Sequence, residues 1–111
     1  MSSAVRIRLL ALAMMGLTTM AELVAASESD VFLGQLGLGC KNRVLEEFGV
    51  PNSDIMVRLG ATVRGSLESG EMTLKDLKAY GASFDWSLAS QDIRGYCNVD
   101  GQGKVTEFEQ W

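Results

Sequence analysis

Cys40 and Cys97 are the only cysteines in this chain of 111 residues, and nearly sixty residues separate them. In an exported protein an even cysteine count reads as one disulfide; in a reducing compartment the same two residues read as buried thiols. A bridge closing so long a loop would stabilise the fold by roughly 4 kcal/mol in the chain-entropy model. It would also tie one segment near residue 40 to another near residue 97, whatever lies between. With two cysteines and no histidine, a tetrahedral zinc site is excluded, because that site draws four ligands from those residue types.

The first 26 residues point to export. Arg6 and Arg8 precede an apolar run from Leu9 to Ala21, and Val24, Ala25 and Ala26 offer small residues for cleavage. This is the three-part layout of a signal peptide, and the run is short for a membrane span. Two rivals stay open: an organelle import segment, since no acid precedes Glu22, and an uncleaved anchor. Removal of 1–26 would leave 85 residues with 13 of the 14 acids and 8 of the 10 bases, a net charge of −5. An acidic chain without a basic cluster excludes nucleic acid and anionic membrane surfaces as natural partners. No membrane span is expected in the remaining chain.

Periodicity predicts an all-α domain. Residues 27–50 form an N-terminal helical segment. Gly34, Gly37 and Gly39 weaken its start, and Val44, Leu45 and Phe48 share a face before Gly49 stops it. Residues 51–111 open at Pro51, the single proline. Ile55, Met56, Leu59 and Val63 recur at helical spacing over 54–64. "EMT" is briefly extended, and "LKDLKAY" makes two turns closed by Gly81. "ASFDW" reads as a linker, and Leu88, Ile93 and Cys97 as one face of a helix over 87–97.

The stretch "NVDGQGKVTEFE", residues 98–109, carries the functional reading. Calcium takes six to eight oxygens, which a twelve-residue loop supplies from positions 1, 3, 5, 7, 9 and 12, with glycine at 6 for the sharp turn. Asn98, Asp100, Gln102, the Lys104 carbonyl, Thr106 and Glu109 fall on those positions, with Gly103 at 6 and Val105 at 8. The run from Asp100 to Thr106 resembles the EF-hand of the calmodulin superfamily, although Asn98 and Gln102 depart from its acidic pattern at positions 1 and 5. The resemblance implies a degenerate pair of helix–loop–helix units. In the first loop Gly65, Leu67 and Ser69 occupy positions 1, 3 and 5, Gly70 position 6 and Asp76 position 12, so that loop lacks ligands. Met72 and Val105 would join the loops in a short two-strand contact. With only Asp100 and Glu109 charged, the implied site is weak, about 10⁻⁴–10⁻³ M. Only Gln110 and Trp111 follow position 12, so the second unit lacks most of its exit helix.

The expected function is therefore a small exported calcium-binding protein. The alternative is a metal-free helical accessory subunit that docks on a larger assembly through the relic hand; Phe108 and Trp111 either cap the core or form an apolar tip that the partner covers. A third is a one-disulfide helper that binds exposed apolar surface. Enzymatic activity is not expected: histidine is absent, and no serine or cysteine has a visible base.

Overall fold

The computed structural model describes residues 28–111, and the targeting segment expected over 1–26 lies outside the described residues. Residues Val31–Trp111 form one compact unit, which carries the sheet. The all-α expectation is overturned. Helix α1 covers residues 28–48. A short 3-10 turn, Asn52–Asp54, leads into strand β1, Ile55–Leu59. Helices α2, Ala61–Ser69, and α3, Leu74–Tyr80, come next, followed by strands β2, Ala82–Leu88, β3, Ile93–Val99, and β4, Val105–Gln110. The four strands form one antiparallel sheet in the order β1-β2-β3-β4. The architecture is α+β, and the expected pair of EF-hand-like units is not formed.

Side-chain alternation explains the correction. In "ASFDWSL" every second residue is apolar, and Ala82, Phe84, Trp86 and Leu88 are all buried while Asp85 is exposed. Strand β3 repeats the pattern, with Gly95, Cys97 and Val99 inside. A period of two puts all of these on one face of a strand and scatters them around a helix. Leu88 and Ile93, read as neighbours on a helix, face each other across the β2–β3 turn. Asp54 secures that turn, its carboxylate accepting from the Ser90 amide at 2.8 Å and the Ser90 hydroxyl at 2.6 Å. The helix expected over 54–64 divides at Gly60, whose N–H donates to the Ser83 carbonyl. Ile55, Val57 and Leu59 alternate as strand β1, opposite Leu88, Trp86 and Phe84.

Helix α1 crosses the inner face of the sheet. Leu36, Cys40 and Val44, four residues apart and no more than 2% exposed, reach the core formed by Phe84, Trp86, Cys97 and Val99. The three glycines do not break this helix. Gly39 lies where a Cβ would collide with the Gly103 carbonyl oxygen, and a Cβ on Gly37 would touch the Phe84 ring at 3.4 Å. Their place is set by close approach of helix to sheet, which outweighs about 1 kcal/mol of helix propensity per glycine. The Cys40–Cys97 disulfide is present, with a Cα–Cα distance of 5.8 Å.

Helix α3 matches the helix expected over 74–80. Thr73 caps it, its N–H donating to Asp76 Oδ2 at 2.9 Å, and Gly81 ends it at φ 78°. Asp76, assigned to position 12 of the first loop, is therefore half of a capping box. The Met72–Val105 strand contact is also corrected: Val105 pairs with Val99, and Met72 lies in no strand.

Candidate functional site

Residues 98–109 are a β-hairpin. Asn98 belongs to β3, Thr106 and Glu109 to β4, and Asp100 to Lys104 form the turn. The Asp100 N–H donates to the Lys104 carbonyl at 2.8 Å, and the Gly103 N–H to the Asp100 carbonyl at 3.0 Å. Asp100 Oδ1 accepts from the amides of Gln102 and Lys104, and Gly103 takes φ 87°. These are the devices of a short hairpin loop with a left-handed glycine. Glu109 faces Tyr96, four residues along β3 from Asp100, so the two carboxylates stand roughly 13 Å apart at the usual strand rise. The six expected ligands do not converge on one point. Among the described residues no group of three or more His, Cys, Asp or Glu is placed to hold a metal ion. The loop is thus a hairpin turn between two strands, and not the helix-flanked loop that the EF-hand resemblance implies.

Three of the six do share a surface. Asn98, Asp100 and Thr106 line a depression of about 400 Å³ with Ser83, Tyr80, Val63 and Met72. Its polar groups are engaged within the fold. Ser83 Oγ donates to Asn98 Oδ1 at 2.6 Å, Asn98 Nδ2 to Glu107 Oε2 at 3.0 Å, and Thr106 Oγ1 to the Asn98 carbonyl at 3.3 Å. On the same outer face the Tyr96 hydroxyl donates to Glu107 Oε1. That bond, then partial desolvation, then the charges of Glu107 and Glu109 raise the Tyr96 pKa above its usual value. The phenol is held protonated.

The two sheet edges differ. At β4 the helical side is closed: Phe108 stacks on Trp86 with ring centroids 5.1 Å apart, and the Arg43 guanidinium lies 5.3 Å from the Phe108 centroid. Phe108 is thus half-buried against the core, whereas Trp111 is exposed beside Tyr96. The outer side of β4 carries Glu107 and Glu109.

At β1 the helical side is open. A groove of about 330 Å³ runs between α1 and the strand, lined by Leu33, Leu38 and Lys41 on one wall and by Val57, Leu59 and Phe84 on the other. The backbone of β1 faces it. Gly60 N–H donates to the Ser83 carbonyl and Ala89 N–H to the Asp54 carbonyl, which fixes the ladder so that Met56 and Arg58 bond toward β2. Ile55, Val57 and Leu59 therefore point their backbone groups outward. Two of these groups are engaged, Ile55 N–H with the Asn52 carbonyl and the Leu59 carbonyl with Arg64 Nη2 at 3.0 Å. The Ile55 carbonyl, both Val57 groups and the Leu59 N–H have no partner among the described residues. Lys41, Arg58 and Arg64 make this edge locally basic in an acidic chain. Sequence reasoning places Ile55, Met56 and Leu59 on one face of a helix and does not single out Val57, Arg58 or Lys41.

No protein-family model, no curated protein and no solved structure matches the chain.

Proposed function

We propose that the chain is a small protein-interaction module that binds an extended segment by adding it as a fifth strand beside β1. One observation carries the reading: a strand edge with backbone donors and acceptors that have no partner among the described residues lies next to an apolar groove. Strand addition uses these two features together, main-chain bonds for affinity and side-chain pockets for specificity. Leu38 lines the groove at 56% exposure, and Met56 adds exposed apolar surface on the outer face of β1 at 46%.

The groove also dictates the chemistry of the segment. Residues opposite Ile55, Val57 and Leu59 turn toward the groove and are apolar. The residue opposite Arg58 turns to the outer face and is acidic, as cross-strand opposite charges favour each other. The proposal keeps the accessory role that the sequence offered as the alternative, with its docking surface moved from the C-terminal end of the expected hand, Phe108 and Trp111, to β1.

Selection of random peptides displayed against the chain tests it. Enriched peptides are expected to alternate apolar and acidic residues and to slow hydrogen exchange at the Val57 and Leu59 amides. Enrichment of peptides that leave both amides exchanging as before would reject the proposal.

A further inference from the structure

Resting on the strand-addition reading, we infer that the occupant of the β1 edge is the β4 edge of a second copy of this chain. Copies would add head to tail into one continuous antiparallel sheet. Direction, backbone phase and charge each support this.

The order β1-β2-β3-β4 is antiparallel throughout, so β4 runs opposite to β1. A copy displaced sideways across the sheet presents β4 antiparallel to β1 with both sets of helices on one side. The backbone phase agrees. Trp111 N–H donates to the Arg94 carbonyl, so Glu107 and Glu109 bond toward β3 while Phe108 and Gln110 point their backbone groups outward. The outward residues on both edges, Val57 on β1 and Phe108 on β4, carry side chains on the helical face. Pairing Val57 with the second copy's Phe108 therefore engages both Val57 backbone groups and the Ile55 carbonyl, and keeps apolar side chains together.

Charge selects the pairing. In that register Arg58 stands opposite the second copy's Glu107, and a slip of two residues places it opposite Glu109 instead. Either way a guanidinium meets a carboxylate on the outer face. Two β4 edges paired about Phe108 would set Glu107 against Glu109 twice, which like-charge repulsion opposes. Two β1 edges paired about Val57 would leave both Arg58 side chains without an acid across the interface. The bulge at Asn98/Val99 interrupts β4 at Thr106, limiting the pairable stretch to Glu107–Gln110. A heterologous contact of this kind does not close on itself unless rotation brings the ends together.

The experiment is sedimentation velocity over a concentration series, with the naturally processed, oxidised chain at low ionic strength. The weight-average mass is expected to rise with concentration, and added salt to reverse the rise. R58E should weaken association on the order of tenfold, since it exchanges the attractive pair with Glu107 for a repulsive one; E109K should weaken it as well, by setting a cation diagonal to Arg58 in this register and directly opposite it in the slipped one. An equimolar mixture of R58E and E107K/E109K chains should recover association that neither shows alone. E109K removes no hydrogen bond present in the fold, so its result stands even if E107K/E109K folds poorly. A chain that stays monomeric up to about 1 mM, or that associates equally well as R58E, overturns the inference. If the chain stays monomeric while selected peptides still protect the Val57 and Leu59 amides, the second copy is excluded and the strand-addition module stands. If neither occurs, both fail.

Discussion

Tyr96 is the residue whose chemistry the fold changes most visibly. Its hydroxyl donates to Glu107, and Glu109 lies opposite it across the β3–β4 ladder. Ionising the phenol breaks that donation and sets a third negative charge beside two carboxylates, so its pKa is raised from the usual value of about 10. The sign of the linkage follows. A tyrosine whose folded pKa exceeds its unfolded one contributes stability in full below the unfolded pKa. That contribution is lost as pH climbs through the folded pKa. The chain has two tyrosines, and replacing the exposed Tyr80 with phenylalanine isolates the signal. In that background, tyrosinate absorbance should report ionisation of Tyr96 above the usual pKa, and E107Q should move the midpoint down. An unchanged midpoint in E107Q would remove Glu107 as the cause.

At the scale of elements, glycines that look alike in sequence differ in use. Gly34 and Gly39 both lie within α1, where alanine is favoured by about 1 kcal/mol. A Cβ on Gly34 meets nothing within 4 Å, whereas one on Gly39 runs into the Gly103 carbonyl oxygen of the β3–β4 turn. G34A is therefore expected to stabilise the fold by about 0.5–1 kcal/mol. G39A should destabilise it by about 1–3 kcal/mol, as overpacking does. Denaturant midpoints of the two variants check both signs, and a stabilised G39A would mean that α1 lies further from the hairpin. The same contrast shows what was legible. Gly49 and Gly81 as helix stops, the cap of α3 and the cysteine pairing were readable because each rests on local or counted chemistry. The strands were not read, since oxygens at every second position suit both a calcium loop and the outer face of a strand. Asn98 and Asp100 satisfy either pattern, and only the partner strand decides. The β1 edge was hidden for a related reason: five residues such as "IMVRL" are too few to separate period two from period 3.6.

For the whole molecule the question is what holds α1 to the inner face of the sheet. Part of the answer is apolar: Leu36 and Val44 are fully buried, and Phe48 packs on Trp86 with centroids 5.3 Å apart. The other part is covalent, since Cys40 lies between Leu36 and Val44 and joins Cys97 at the middle of β3. A domain of this size has a thin core, and its net stability falls in the range of roughly 4–12 kcal/mol. A crosslink with a sequence separation of 57 contributes on the order of 4 kcal/mol by restricting the unfolded chain, a large share of that range. The double variant C40A/C97A is accordingly expected to lose about 3–5 kcal/mol in urea unfolding. Hydrogen exchange should rise first along α1 and less at the β2–β3 ladder, because the hairpin keeps its backbone bonds while the helix loses its anchor. A loss below about 1 kcal/mol would show that the apolar stripe of α1 suffices without the bridge. The open groove beside β1 would then be the rim of a helix seated by packing alone.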